Sequence, residues 1–200
     1  GEQTLWTVVG PAGRLHPLLD ADGAFDPAAQ TFSVEPFVRL DGTLVTWADV
    51  TATPTLAEGE LPIPTVTWSH PAFTLEVTAF GSGAGADATV VVRYRLRSRA
   101  ASRIEPELLL ALRPLQVNPP SQFLNTAGGV VRNGSVSCEG RSLLVDRTSG
   151  VVARPAADRC GATCFDTGEV VALLERGDFP AASSAPGPLA SGALAWRLPL

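Results

Sequence analysis

Val34-Glu35-Pro36-Phe37-Val38-Arg39-Leu40-Asp41-Gly42-Thr43-Leu44-Val45-Thr46-Trp47 is the stretch on which the fold is decided. Asp41-Gly42 suits a type I′ turn, in which both central residues need positive φ. Folding the chain there sets Leu40 opposite Thr43, Val38 opposite Val45 and Pro36 opposite Trp47. One face then carries Val34, Val38, Leu40, Val45 and Trp47, the alternation of a half-buried antiparallel ribbon.

The same reading extends outward. Val90, Val92, Tyr94 and Leu96 alternate with Val91, Arg93, Arg95 and Arg97. A turn at Ala100-Ala101-Ser102 predicts that this strand pairs with Ile104 to Leu112, with Tyr94 opposite Leu108, Arg95 opposite Glu107 and Arg97 opposite Glu105. Facing opposite charges favour that register, which makes the arginine row a salt-bridged sheet face before it is a ligand-binding stripe. Leu5 to Val9 opens the chain as a strand and Ala190 to Leu198 closes it. Val66 to Ser69 turns at His70-Pro71 into Phe73 to Phe80, with Phe73, Leu75, Val77 and Ala79 on one face. Ser135 to Cys138 turns at Glu139-Gly140 into Ser142 to Asp146. Gly81 to Gly85 and Ala181 to Pro188 read as loops. Near 167–176 the pattern changes to helix: Asp166 can cap it with Glu169 three residues on, Val170, Leu173 and Leu174 form its apolar stripe, and Gly177 stops it. Strands at regular spacing with one short helix predict an all-β fold, a large antiparallel β-sandwich. No long repeat or internal boundary divides it, so residues 1–200 read as one β-sandwich domain.

Composition narrows the function. Hydrophobic residues make up 45% of the 200, enough for a core, and charged residues only 18%, below the roughly 25% of an average domain. The shortage suits sheet faces buried against one another or against the rest of a larger protein. All 15 basic residues are arginine. The net charge of −5 argues against a nucleic-acid partner, and no apolar run approaches the roughly 20 residues of a membrane span. The absence of methionine predicts a fragment of something longer. Among the three cysteines, a bridge from Cys138 to Cys160 or Cys164 would suit an exported protein; three reduced thiols are the competing reading. No fourth ligand stands at zinc-site spacing, so neither metal nor other cofactor is predicted.

No nucleophile elbow, phosphate loop, dinucleotide fingerprint or metalloprotease motif is present. His16 and His70 could serve as acid and base, as in sugar mutarotases, if both reached one sugar; as loop histidines beside prolines they read first as surface residues. The unusual stretch is Arg113 to Asn125. Its amides Gln116, Asn118, Gln122 and Asn125 alternate with Phe123 and leucines, the vocabulary of carbohydrate contact; a crossover loop whose amides satisfy backbone groups is the alternative. Trp47 and Trp68 could add stacking surfaces, although their alternating neighbours make core packing the default. The candidate ligand-binding set is therefore Gln116, Asn118, Gln122, Phe123, Asn125, Trp47, Trp68 and His70.

Pro36-Phe37-Val38 with Asp41-Gly42, Val45 to Val50, Leu61-Pro62-Ile63-Pro64, Val66-Thr67-Trp68, Arg113-Pro114, Gln116 to Pro120, Gln122 to Asn125, Gly128-Gly129 and Ala190 to Leu194 together resemble a segment of large bacterial proteins labelled as discoidin or coagulation-factor-type domain proteins. In these, such a region precedes a helical toroid similar to that of glycoside hydrolases. The resemblance implies an N-terminal supersandwich, the galactose-mutarotase-like architecture, packed against an (α/α)6 barrel that would hold the catalytic carboxylates. On this reading the chain is a non-catalytic accessory domain of a carbohydrate-active protein, with the adjacent domain of its parent chain, and carbohydrate, as partners. A stand-alone carbohydrate-binding module and a mutarotase-like enzyme are the alternatives.

Overall fold

The computed structural model describes residues 6–10, 16–28, 31–83, 89–116 and 129–200. β1 (Trp6–Val8), β2 (Leu18–Asp20), β3 (Phe25–Asp26) and β4 (Ser33–Leu40) lie side by side, and β5 (Thr43–Val45) folds back on β4. Asp41 and Gly42 have φ of 51° and 81°, the turn that this dipeptide suits, and Val38 meets Val45. β6 (Thr51–Ala57), β7 (Leu61–Ser69), β8 (Phe73–Ser82) and β9 (Thr89–Ser98) then form a four-stranded antiparallel meander. β10 (Glu107–Arg113) returns to the first sheet beside β4. β11 (Ser135–Glu139), β12 (Ser142–Val145) and β13 (Ser149–Val151) begin a second four-stranded sheet. β14 (Arg159–Cys164), helix α1 (Val170–Glu175), β15 (Ser184–Pro186) and β16 (Ala190–Arg197) complete the chain. β15 joins β11, and β16 slots between β10 and β14 in the eight-stranded sheet.

Burial explains this arrangement. Leu108 to Leu112 is apolar without interruption and buried throughout, as a strand covered on both faces must be. On the inner side Leu108 joins Val38, Trp68, Phe73, Leu75 and Val77 beneath the meander. On that same side Leu110 and Leu112 join Val34, Val136, Leu143 and Leu194 beneath the second small sheet. The outer side, with Phe37, Leu109, Ala111, Ala193 and Ala195, is capped by Val170 and Leu174 of α1. Gly192 lies where the second small sheet approaches: a Cβ there would come within 2.7 Å of Leu143 Cδ2.

The hairpin expected from Val90 to Leu112 does not form. Tyr94 pairs with Val77, and Leu108 pairs with Val38 and Trp196. The alternating β9 leaves one side in water, whereas β10 is buried on both and takes its place between β4 and β16, where both of its sides are covered. Tyr94 and Leu108 still share a core, from opposite sheets. Their charged neighbours separate accordingly: Arg95 lies 3.9 Å from Glu76, Glu105 pairs with Arg103, and Glu107 with Arg39 and Arg159.

Smaller corrections share a local origin. β5 stops at Val45, so Trp47 never faces Pro36, which meets Leu110 instead. The α1 cap is Glu169, whose Oε2 accepts from Ala172 N–H at 3.0 Å, while Asp166 sits in a preceding 3-10 turn. The expected loop from Ala181 to Pro188 contains β15. The turn after β11 centres on Gly140 and Arg141, both at positive φ, one residue later than expected. The hairpin through His70-Pro71 forms as read, with Ser69 opposite Thr74.

Cys138 and Cys160 form a disulfide 22 residues apart, and Cys164 is free. Closing such a loop restricts the unfolded chain by about 3 kcal/mol. Urea titrations with and without reductant should therefore differ by that amount, and Cys164→Ser should leave both curves in place; coincident curves would show the bridge absent. The Tyr94 hydroxyl is buried where the two inner cores meet and has no hydrogen-bond partner among the described residues, and burial raises its pKa. Tyr94→Phe should stabilise the protein by about 1 kcal/mol, because it removes an unpaired buried donor; a loss of stability in the same titration would reveal a partner.

Candidate functional site

Asp20-Ala21-Asp22-Gly23-Ala24 folds the chain tightly between β2 and β3. Asp20 Oδ1 accepts from Asp22 N–H at 2.9 Å and Ala24 N–H at 2.7 Å, the side-chain mimicry of a turn that aspartate supports. Trp68 is wholly buried on β7, and its indole Nε1–H donates to the Asp22 carbonyl at 2.8 Å. The meander thus holds the turn from below.

Beside this turn lies an open cavity of about 230 Å³, with Asp20, Asp22, Glu35, Trp47, Trp68 and Gln116 among its lining residues. Glu35 reaches it from the outer side of β4. One Glu35 oxygen accepts from the Ser33 hydroxyl at 2.9 Å and the other pairs with Arg113 Nη1 at 3.0 Å. Arg113 Nε also meets Glu169 at 3.1 Å, so α1 and the cavity share one guanidinium. Gln116 is positioned by its backbone N–H, which donates to the Gly129 carbonyl at 2.7 Å.

Trp47 reaches the cavity because the strand before it ends. Thr46 Oγ1 accepts from Ala48 N–H, and Asp49 Oδ2 accepts from the Thr46 N–H and hydroxyl. This reciprocal cap starts a 3-10 turn that brings Trp47 out at 55% exposure. The Thr46 donors hold the Asp49 carboxyl below the ordinary carboxylate range.

Burial pushes the Asp20 carboxyl up to about 7; the charges of Asp22 and Glu35 add to the rise, and the two backbone N–H donors oppose it. Among the described residues no group of three or more His, Cys, Asp or Glu is placed to hold a metal ion.

Of the residues picked from the sequence, Trp47, Trp68 and Gln116 come together around this cavity. Trp68 contributes from a buried position, so its ring is core rather than platform. His70 lines neither this cavity nor a second one beside β14. It stacks on Phe73 at 4.6 Å and its Nδ1 accepts from Ala72 N–H, holding the β7–β8 turn. His16 lines neither cavity. Asn118, Gln122, Phe123 and Asn125 lie outside the described residues. Sequence reasoning passed over Asp20, Asp22 and Glu35. Asp-Ala-Asp-Gly carries a turn signal, but its proximity to Trp68 and Gln116 is a matter of tertiary structure.

No family model matches the chain, and no curated protein does. Among solved structures it is similar to a bacterial glucoamylase in complex with acarbose, at 11% identity and a TM-score of 0.61. The match covers 96% of this chain and 31% of that one, so the chain spans about a third of the glucoamylase's length. At this identity the likeness is one of fold: a β-sandwich that in the glucoamylase is part of a much longer chain.

The Asp20 environment has a measurable consequence. A carboxyl raised from 3.8 to about 7 binds its proton more tightly folded than unfolded. Its favourable contribution is complete below pH 3.8 and disappears as pH rises through about 7. Asp20→Asn keeps an acceptor for the turn and removes the charge. It should match wild type near pH 4 and exceed it at pH 8 by about 4 kcal/mol in urea unfolding. Parallel curves across that range would place the carboxylate in water.

Proposed function

We propose that the chain is a non-catalytic β-sandwich accessory region of a larger carbohydrate-active protein, and that the cavity beside Trp47 holds a sugar ring. The carrying observation is Trp47 itself, more than half exposed at the rim of a cavity that also offers carboxylates and an amide. An indole face packs against the C–H face of a pyranose, while Asp22, Glu35 and Gln116 supply polar partners for its hydroxyls.

The arrangement supports binding in preference to catalysis. Asp20 Oδ1 is committed to the turn, and Glu35 is held by Ser33 and Arg113. Both carboxylates therefore already serve structural contacts. The mutarotase-like alternative draws no support from His16 or His70, since neither lines the cavity. The likeness to one region of a glucoamylase supports an accessory role beside a catalytic domain, and so does the resemblance to bacterial proteins in which such a region precedes a helical toroid; both are fold-level analogies. The adjacent domain of the parent chain would be the principal partner, and the Cys138–Cys160 bridge supports an exported protein. A stand-alone binding module would use the same cavity and differ only in needing no neighbour.

Calorimetric titration with neutral oligosaccharides, α-glucans first, tests the reading. Wild type should bind at least one of them, and Trp47→Ala should weaken that binding at least tenfold without lowering the melting temperature. Absence of binding across the panel, or an unchanged affinity in Trp47→Ala, would overturn it.

A further inference from the structure

The outward side of the meander carries a second feature. Arg93, Arg95 and Arg97 alternate along β9, the outermost strand of that sheet. Their inward neighbours Tyr94 and Leu96 pack on the core, so the three arginines share the solvent side. Alternate residues of a strand recur every ~6.7 Å, which makes the row a straight ladder of positive charge. Across to β8 its neighbours are Thr78, Glu76 and Thr74 in turn. Only Arg95 has a carboxylate near it, at 3.9 Å. Arg93 and Arg97 have none among the described residues; Glu105, the companion expected for Arg97, pairs with Arg103, and Glu107, the one expected for Arg95, pairs with Arg39 and Arg159. Beyond β8 the same side continues into Thr65, Thr67 and Ser69 of β7 and then the threonines of β6. Thr78 is itself buried, its hydroxyl bonded to that of Thr65 at 2.9 Å, so the reachable hydroxyls are those of Thr74, Thr67, Ser69 and the threonines of β6, bordered by guanidinium groups.

We propose that this side binds a linear acidic polysaccharide, with the arginines taking carboxylates that recur along an extended glycan and the threonines meeting its hydroxyls. A guanidinium fork matches a carboxylate in shape as well as charge, and a hydroxyl can both donate to and accept from a sugar. Single-stranded nucleic acid fits less well: Phe80 lies on this side opposite Val91, at one end of the row, but no ring stands between Arg93, Arg95 and Arg97 for successive bases to stack on. Arginine on an outer strand also discourages edge-to-edge pairing, and the experiment separates that role from binding.

Affinity electrophoresis of the 200-residue chain through gels containing polygalacturonate or alginate, with polymer-free gels to correct for intrinsic mobility, provides the test. Wild type should be retarded in both acidic gels at low salt, less so as salt rises through about 0.1 M, where exposed charges are screened beyond about 10 Å. The triple variant Arg93→Gln/Arg95→Gln/Arg97→Gln should lose at least tenfold in apparent affinity while keeping its melting temperature. Arg176→Gln, which removes an exposed arginine outside this sheet, and Trp47→Ala, which removes the stacking surface of the cavity, should both bind as wild type does. That separates this surface from the proposed sugar cavity. No retardation in either acidic gel, equal retardation of the triple variant, or tighter binding of single-stranded DNA would each overturn the proposal. A triple variant that self-associates yet keeps its retardation would mark the row as a guard against strand pairing and overturn it too.

Discussion

Leu108 to Leu112 is oily on both sides, and the rest of the molecule is arranged to keep both sides dry. Hydrogen bonding from β4 and β16 satisfies its backbone, and two small sheets share the cover of one side while α1 covers the other. Burying a leucine side chain fully contributes roughly 1.5–3 kcal/mol, so the four leucines of this segment outweigh any single polar contact in the fold. A six-residue helix is too short to persist alone in water. It survives as a lid over Leu109 and Ala111.

The charges at the two ends of β10 complete that lid. Glu107 lies between Arg39 and Arg159 at 2.9 and 2.6 Å, and Arg39 also donates to the Leu174 carbonyl near the end of α1. At the other end Arg113 links Glu35 to Glu169, the residue that caps the start of α1. Each end of the helix is therefore tied to the sheet by an arginine that also serves a carboxylate. Satisfaction is incomplete: Nε of Arg39 and of Arg159 is buried without a partner among the described residues. Such networks position groups more than they add net stability. Here they fix the side chain of Glu35, which reaches the cavity beside Trp47.

The sequence made legible whatever a turn and its two flanking strands decide. Asp41-Gly42 and His70-Pro71 each produced the hairpin that their neighbours implied, and the one after β11 formed with its turn a single residue late, because pairing there depends on residues close in the chain. What it concealed was the choice between partners far apart. The run at Leu108 to Leu112 already signalled a strand buried on both sides, yet facing charges suggested a local partner in β9. Surface ion pairs contribute at most about 1 kcal/mol, and apolar burial on two sides outweighs that. The cavity was hidden for a related reason: β2, β3 and β4 bring Asp20 near Glu35, but only the long-range pairing of β4 with β10 carries Gln116 to them.

Trp47 shows how a small local preference can create a surface feature. Alternation from Val38 through Val45 would carry it into the core, where its large apolar area belongs. The Thr46–Asp49 cap intervenes one residue earlier and satisfies the backbone and side chain of Thr46 with a single carboxylate. A capping interaction contributes about 1 kcal/mol, less than burying the whole indole would. The cap can prevail only because the inner face is already filled by Trp68, Phe73 and Val38, all without exposure. With no room inside for a second indole, turning Trp47 outward costs the core nothing. The ring that packing rejected becomes the one aromatic surface open to a ligand at this cavity.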